Sequence, residues 1–246
     1  MQNEVMNVIM TAGELLLTSG AEVYRAEETM ERMGKSLGYS VEAYVTPTGI
    51  MVTVAKDGYF LTRIRRIRSR NQDLGRIAGV NQISRELAMG SLTLEQTKLR
   101  LQELRGPIYN TFIRYFAVMV ASACLTFMLG GRQYELIIAA GAGLIAYLVD
   151  LLLSRFNANP YLRSFAAAFL VANGVYTVRS FVPNISMPLV TVGGLMILVP
   201  GVAMASAVRD LVQGELLSGT SRVVEAVAIA AALAAGSAVA VGLWRL

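Results

Sequence analysis

Histidine is absent from the 246 residues, and cysteine occurs once. Without histidine the chain cannot form a Ser-His triad, a Cys-His dyad or a histidine-containing zinc site. A single cysteine excludes a disulfide within the chain, and we predict that Cys124, which lies in an apolar run, packs in a core. These absences exclude most hydrolases and metalloenzymes, so we expect no catalytic residues, no metal and no cofactor.

Charged residues are also scarce, at 16% of the chain, whereas 54% of residues are hydrophobic and the mean hydropathy is +0.52. This balance is too apolar for a soluble domain of this size and predicts an integral membrane protein. The charges are unevenly spread, since residues 1–108 hold 14 of the 22 Lys and Arg and 12 of the 17 Asp and Glu. We therefore predict a small cytoplasmic α/β domain at 1–108, followed by an α-helical transmembrane domain at 109–246.

The N-terminus lacks the features of a cleaved signal peptide. Glu4 comes early, and neither a basic segment nor a small-residue cleavage site precedes Ser19. The first domain is therefore predicted to stay in the cytoplasm. The net charge of +5 and the arginines between 63 and 70 are assigned to anionic lipid headgroups, because a basic surface beside a membrane domain usually faces lipid. Nucleic acid is not an expected partner.

Hydrophobic periodicity and turn signals define the elements of the first domain. A first helix is predicted to end near Ser19-Gly20, because apolar residues recur at helical spacing before that point. Segments rich in β-branched and aromatic residues predict strands, with a hairpin turn at Lys56-Asp57-Gly58 and a domain end at Pro107. The predicted elements after the first helix are helix 21–37, strands 40–45, 49–55 and 59–67, and helices 71–89 and 93–105.

Three sites in this domain carry helix-end signals. Ser19 with Glu22, and Thr93 with Gln96, form capping-box patterns, in which each side chain bonds a backbone amide of the first turn. Gly38 is predicted to end the helix before it, because glycine readily takes the left-handed conformation that ends many helices.

From Tyr109 onward the apolar runs are long enough to cross a bilayer, for which a helix needs about 20 residues. An odd number of spans cannot form two equal membrane repeats, so we expect a second subunit or a homo-oligomer. The five predicted transmembrane helices are 109–129, 134–153, 161–181, 187–208 and 223–244.

Basic residues near the helix ends predict the orientation in the inner membrane. With the first domain in the cytoplasm, six arginines fall on the cytoplasmic side and three on the outer side. This predicts a cytoplasmic N-terminus and an outer C-terminus. The cytoplasmic set is Arg105, Arg114, Arg155, Arg163, Arg209 and Arg222, and the outer set is Arg132, Arg179 and Arg245.

The stretch 193–225 places a Pro200-Gly201 break inside an apolar helix. Proline removes a backbone donor, so a broken membrane helix either lines a cavity or packs into protein. Gly193-Gly194, two turns earlier, and the charged turn that follows favour a cavity, although a simple packing kink is the alternative. A half-helix that starts near Gly201 would direct partial positive charge towards an anionic group, which suits a carboxylate-bearing substrate.

Charged residues follow this break. Arg209 and Asp210 lie 22 and 23 residues after the start of the fourth predicted helix, or about 33 Å along it, near the cytoplasmic headgroups. Because adjacent residues do not face each other on a helix, each needs another partner, and Asp150, Arg222 and Glu225 are the candidates by depth. A substrate entrance and plain anchoring at the interface both fit this position.

A tight turn is predicted between the fourth and fifth helices, because Gly214, Ser218 and Gly219 are typical turn residues. Together with the break and the charges, this turn completes a predicted substrate path. The path residues are Gly193, Gly194, Pro200, Gly201, Arg209, Asp210, Ser218, Gly219, Arg222, Glu225 and Asp150.

The segment 19–28 is the most distinctive part of the first domain. Glu22 in a first helical turn is explained by the helix dipole, but Ser19, Glu22, Arg25 and Glu27 could also form a polar site. Without histidine, an enzyme here would need Ser, Thr, Tyr, Lys or a carboxylate as its base. A solvated charged helix face is the simpler interpretation.

Two segments together resemble the threonine/serine exporter family. They are SGAEVYRAEE at 19–28, in a domain followed by five spans, and LVPGVAMASAVRDLVQGELLSGTSRVVEA at 198–226, between the fourth and fifth spans. Longer family members continue into a second hydrophobic module, whereas in split members a separate small membrane protein supplies the remaining spans. The resemblance implies the larger subunit of a split exporter, similar to bacterial pairs implicated in succinate export, and an aqueous domain that resembles a hydrolase.

The sequence therefore predicts a subunit of a secondary transporter rather than an enzyme. Its expected substrates are small carboxylate-bearing metabolites, either threonine and serine or dicarboxylates such as succinate. Its expected partners are a second small membrane subunit or further copies of the chain, and the lipid bilayer. Two alternatives stay open: a membrane-anchored hydrolase-like enzyme, and a regulatory scaffold that acts through the cytoplasmic domain.

Overall fold

The computed structural model describes residues 2–68, 70–106, 109–182 and 184–244. The chain forms two compact units, Met1–Ile108 with Val202–Val223, and Tyr109–Gly201 with Val224–Leu246. Residues 202–223, predicted as part of the transmembrane domain, thus group with the first unit. Pro107, the predicted end of the first domain, and Arg245, used for the predicted orientation, lie outside the described residues.

Helices dominate both units, and one small sheet lies in the first. The elements in chain order are α1 (Gln2–Thr18), α2 (Val23–Ser36), β1 (Ser40–Thr46), β2 (Gly49–Lys56), β3 (Tyr59–Arg66), α3 (Leu74–Ala88), α4 (Leu94–Glu103), α5 (Thr111–Met128), α6 (Gln133–Arg155), α7 (Pro160–Phe181), α8 (Met187–Leu195), the 3₁₀ turn η1 (Met196–Leu198), α9 (Gly201–Val212) and α10 (Leu216–Leu243). The first unit holds α1 to α4, the sheet, nearly all of α9 and the first two turns of α10.

The core of the first unit forms around α1, which contacts α2, α3, α4, β2 and β3. Most of α1 is apolar and buried, including Met6, Ile9 and Leu16. Burial of such side chains contributes roughly 1.5–3 kcal/mol each, so this helix carries much of the stability of the unit.

The three strands run antiparallel in the order β1-β2-β3. Ile50, Val52 and Val54 alternate along β2 and are buried on one face of the sheet, as a strand with one covered face requires. Asp57 and Gly58 have positive φ values of 51° and 81°, the conformation of a two-residue hairpin turn. The predicted turn is confirmed, and the predicted strand bounds are correct to within one residue.

Two of the three predicted helix ends are confirmed. Thr93 and Gln96 form a reciprocal capping box at α4, and Gly38 takes φ +76° just beyond α2. The predicted Ser19 and Glu22 capping box is wrong. Glu22 is itself the N-cap of α2 and makes no side-chain cap bond. The chain leaves α1 by a tight turn at this point, and Ser19 lies in that turn rather than at the start of α2.

Apolar helices make up the second unit. Within the described residues, α5, α6 and α10 are long and apolar enough to cross a membrane, and α8 to α9 adds a fourth candidate if counted as one broken span. Helix α7 has 22 residues but does not reach the same hydropathy, because it carries Arg163, Asn173 and Arg179. Five spans therefore stay a prediction.

The packing of α5 corrects one expectation. Ser122 and Thr126 are the buried residues of this helix, and Gly143 of α6 lies so close that an added Cβ would be 1.9 Å from the Ser122 hydroxyl oxygen. Cys124 is exposed, so its predicted place in a core is wrong. The reason is geometric, because a residue two positions from Ser122 and Thr126 points to the opposite side of a helix.

Candidate functional site

The turn between α1 and α2 presents backbone carbonyls to the rest of the first unit. Gly20 takes φ +85°, a conformation that glycine adopts without strain. The Ala21 amide donates to the Leu16 carbonyl at 3.0 Å. Because the chain reverses here, the carbonyls of Gly20 and Ala21 are not used by a helix and need donors from another segment.

Arg222, in the first two turns of α10, supplies those donors. Its Nη1 donates to the Gly20 carbonyl at 3.3 Å, and its Nη2 donates to the Ala21 carbonyl at 2.6 Å. Only 7% of the side chain is exposed. A buried guanidinium that binds two carbonyls is held firmly in place, so the start of α10 is tied to the α1–α2 turn.

Asp210 of α9 provides the opposite charge. Its Oδ2 lies 3.2 Å from Nε of Arg222, and its side chain is fully buried. The backbone N–H of Val23, at the start of α2, also interacts favourably with this carboxylate, as expected at the positive end of a helix dipole. The contact with Arg222 is an ion pair without the alignment of a hydrogen bond. The carboxylate is therefore stabilised by the charge of Arg222 and by the N–H of Val23.

The turn between α9 and α10 brings Asp210 and Arg222 together. Gly214 takes φ +89°, which confirms a turn at this position, whereas Ser218 and Gly219 lie inside α10 rather than in the turn. Gly219 has another use, since an added Cβ would be 2.5 Å from Cγ of Leu211. The absence of a side chain at Gly219 thus allows α10 to pack closely against α9.

Glu22 joins a second group of charges beside this pair. Its Oε1 accepts a hydrogen bond from Nη1 of Arg209 at 2.9 Å, and its Oε2 lies 3.3 Å from Nε of Arg25. Glu22 is 10% exposed, whereas Arg209 is 65% exposed. The first unit therefore brings residues of the two distinctive sequence segments into one site, with a buried ion pair and a solvent-facing arginine.

Two other predicted polar-site residues have separate surroundings. Ser19 is buried, and its hydroxyl has no hydrogen-bond partner within the described residues. Glu27 accepts a hydrogen bond from the Val45 amide at 2.7 Å and so ties α2 to β1. Burial raises the pKa of Glu27 above its ordinary value, more than the Val45 amide lowers it. Glu27 therefore has a structural contact of its own.

The predicted path residues Gly193 and Gly194 lie in tight helix packing. An added Cβ at Gly193 would be 1.8 Å from the Thr126 hydroxyl oxygen, and one at Gly194 would be 2.6 Å from Cβ of Ala142. Both glycines are buried. Their positions support close approach of α8 to α5 and α6, as small residues do in membrane helices, and leave no open space beside them.

The predicted break at Pro200-Gly201 is present. Val199 is extended (φ −65°, ψ 127°), as a residue before proline usually is, and α9 begins at Gly201. An apolar cavity of about 420 Å³ beside α8 is lined by Val199, by other apolar side chains and by the hydroxyl-bearing residues Tyr176, Thr191 and Ser237. This cavity lacks a charged side chain, so it does not suit a carboxylate.

The remaining path residues belong to the second unit. Asp150 of α6 pairs with Arg163 of α7 at 3.5 Å, and Glu225 lies half-buried on α10. Of the three predicted partners for the Arg209-Asp210 segment, Arg222 is the one that the first unit places against Asp210. The predicted site residues are thus divided between the two units.

Sequence reasoning missed the contacts that assemble this site. Glu22 and Arg209 are 187 positions apart, and Arg222 binds carbonyls more than 200 positions away. No local periodicity encodes such pairing. The available signal was indirect, because both segments combine adjacent glycine, acidic and basic residues.

The exposed guanidinium of Arg209 makes the arrangement suitable for binding an anion. Among the described residues no group of three or more His, Cys, Asp or Glu side chains is placed to hold a metal ion. The charged groups are arranged so that a carboxylate arriving at Arg209 could compete with Glu22. Exchange of ion-pair partners is the process that these residues can support.

Comparison with known proteins gives the family of the chain. The sequence profile of the threonine/serine exporters matches residues 7–244. The chain belongs to the threonine/serine exporter family. The match includes both segments of the buried ion-pair site, and the apolar helices agree with a multi-pass membrane protein.

Relatives of this exporter-family chain include proteins of similar length and a longer one. It is 25% identical to the probable succinate transporter subunit YjjP of Klebsiella aerogenes over 248 residues and to that of Escherichia coli (strain K12) over 251 residues, covering 100% of this chain and 96% of each relative. It is 22% identical over 241 residues to the probable threonine/serine exporter of Mycobacterium tuberculosis, covering 95% of this chain and 45% of that protein. No solved structure matches the exporter-family chain significantly.

Proposed function

We propose that the chain is one subunit of a secondary transporter that exports small carboxylate-bearing metabolites, either threonine and serine or dicarboxylates such as succinate. Family membership supports export, and the names of the Klebsiella and Escherichia relatives support both a dicarboxylate and a partner subunit. We assign the cytoplasmic substrate entrance to Asp210, Arg222, Glu22 and Arg209.

The observation that carries this assignment is the fully buried Asp210 beside Arg222. Burying a carboxylate is costly unless it is well paired, and among the described residues its contact with Arg222 is not aligned as a hydrogen bond. Such a residue is a functional candidate, because buried ionisable groups with a specific charged partner are common at functional sites. Arg209, which is largely exposed, would attract an anion towards the pair.

In this mechanism the substrate carboxylate first binds the guanidinium of Arg209 and weakens its hydrogen bond with Glu22. The buried pair then responds to Glu22, whose negative charge is no longer balanced by Arg209. Arg222 keeps its two carbonyl bonds throughout and so acts as a fixed positive charge. Asp210 is the group free to change partner.

Efflux from loaded cells tests the assignment. Cells that contain the chain and a second small membrane subunit of the family are loaded with threonine, serine or succinate, and export is followed over time. Asp210→Asn and Arg209→Gln are expected to slow export at unchanged membrane abundance, whereas Gln213→Ala, an exposed change in the adjacent turn, leaves export unchanged. Equal export by Asp210→Asn and wild type would remove the entrance assignment. Absence of export for all three substrates would remove the exporter itself.

The proposed topology is five spans with the N-terminus in the cytoplasm and the C-terminus outside the inner membrane. The five-span topology depends on whether α7 crosses the membrane, because its hydropathy is lower than that of α5, α6 and α10. Reporter fusions after residues 131, 158 and 184 test it. An outer reporter at 131 and at 184, with a cytoplasmic one at 158, fits the proposal, and identical sides at 158 and 184 contradict it.

A further inference from the structure

A separate polar cavity of about 250 Å³ opens between α2 and α3 in the first unit. Three guanidinium groups line it, from Arg25 and Arg32 on α2 and Arg85 on α3. Glu28 supplies one carboxylate on the lining. With three positive charges and one negative charge, the lining has an excess of two positive charges.

Arg32 is held in position by its neighbours. Its Nε donates to the hydroxyl of Ser84 at 3.1 Å, its Nη2 donates to Thr29 at 3.3 Å, and its Nη1 donates to Glu28 at 3.2 Å. Ser84 and Thr29 are buried. A guanidinium has five N–H donors, so the three bonds orient the group and leave two donors for a ligand.

Arg25 and Tyr24 form the second wall. Nε of Arg25 donates to the Tyr24 hydroxyl at 3.2 Å, and this contact, with nearby carboxylates, raises the pKa of Arg25. The positive charge of Arg25 is therefore permanent. Since the Tyr24 oxygen accepts this bond, its own O–H is left as a donor.

The α3 wall adds Asn81 and Arg85. Asn81 accepts the Thr29 hydroxyl through its Oδ1 at 3.4 Å, so its NH₂ group is a donor. Arg85 is exposed and makes no hydrogen bond or ion pair with the part of the chain described here. The cavity therefore gathers donors from both helices, with few acceptors.

Size and polarity restrict the ligand. A volume of 250 Å³ equals about eight water molecules at roughly 30 Å³ each, and it lies below the roughly 300–1,000 Å³ of pockets for drug-sized ligands. Apart from the ring of Tyr24, the lining consists of polar side chains, so it offers little of the apolar surface that a nucleoside or an aliphatic chain requires. A zwitterion would use Glu28, but the excess of two positive charges favours a ligand with two negative charges.

We propose that this cavity binds a small dianion, either a four-carbon dicarboxylate or inorganic phosphate, held by the guanidinium groups of Arg25, Arg32 and Arg85. Binding of this ligand would also affect Arg209, because Arg25 contacts Glu22 at 3.3 Å and Glu22 binds Arg209. An anion that draws Arg25 away strengthens the hold of Glu22 on Arg209. This part of the inference rests on the proposed function: occupancy of the cavity by a cytoplasmic dianion changes the pairing of Arg209 at the substrate entrance.

Calorimetric titration of the purified full chain tests the proposal. Succinate, inorganic phosphate and threonine are added separately to wild type, Arg85→Gln, Arg25→Gln and the control Arg66→Gln, an exposed arginine on β3. Binding of succinate or phosphate is expected to weaken about tenfold or more in the first two variants, as loss of a charged hydrogen bond implies, and to match wild type in the control. The tighter of the two ligands identifies the anion.

Only the binding that is lost on substitution is assigned to the cavity, because binding of succinate along a transport route would be unchanged in Arg85→Gln. Unchanged binding in Arg25→Gln and Arg85→Gln, no binding of either dianion, or threonine bound as tightly as succinate would each overturn the proposal. The result is independent of the efflux assay, in which Asp210→Asn tests transport without altering the cavity.

Discussion

The buried pair of Asp210 and Arg222 makes a sharp prediction about stability. Arg222→Gln leaves a fully buried carboxylate without its counter-charge and removes donors from the carbonyls of Gly20 and Ala21. Breaking a buried ion pair from one side costs about 3–5 kcal/mol. At about 2–4 °C per kcal/mol for a chain of this size, the midpoint of thermal unfolding should fall by about 6–20 °C.

Asp210→Asn should cost less, about 1–3 kcal/mol, because Arg222 keeps its two carbonyl acceptors. The double variant removes both charges and should unfold at a higher temperature than the sum of the single losses predicts. The assay is thermal unfolding of the purified full chain in detergent, followed by circular dichroism. If Arg222→Gln shifts the midpoint by less than Gln213→Ala does, or if the two single losses simply add, the reasoning about this pair is refuted.

Two further predictions concern packing and pH. Gly193→Ala should lower stability by about 1–3 kcal/mol, because the new methyl group overlaps Thr126. Gly174 on α7 has open space around it, so Gly174→Ala should not lower stability. Equal thermal midpoints for the Gly193→Ala and Gly174→Ala variants would contradict the packing argument. Glu27→Gln should raise stability at pH 7, since the raised pKa of Glu27 means that its charged form opposes folding. This gain should shrink as pH falls through the raised pKa and disappear below 4.5, the ordinary value; a gain that persists at low pH would contradict the burial argument.

Much of the local structure followed from sequence. The hairpin at Asp57-Gly58, the capping box at Thr93 and the break before Pro200 all depend on residues within a few positions of one another. Their backbone preferences act over the same distance. Local patterns therefore predicted these elements.

The assembly of the site did not follow from sequence. The Ser19 and Glu22 pattern matched a capping box, but Glu22 instead pairs with Arg209 from a distant helix, so a tertiary contact replaced the local one. The prediction that Cys124 packs in a core was wrong for a related reason, since an apolar run does not reveal which side of a helix is covered. The predicted depth in the membrane made Arg222 a candidate partner for Asp210. It did not indicate that Arg222 also binds the carbonyls of Gly20 and Ala21.

The discontinuity of the first unit affects how the protein is made. Synthesis proceeds from the N-terminus, and the 93 residues 109–201 separate the two parts of this unit. At 5–20 residues per second, about 5–20 seconds pass on the ribosome before α9 and α10 can join. During that interval the carbonyls of Gly20 and Ala21 have no arginine to bind. A chaperone that recognises the unfinished unit would act within this interval. A truncated chain that stops at residue 108 would lack residues 202–223, so its first unit would stay incomplete.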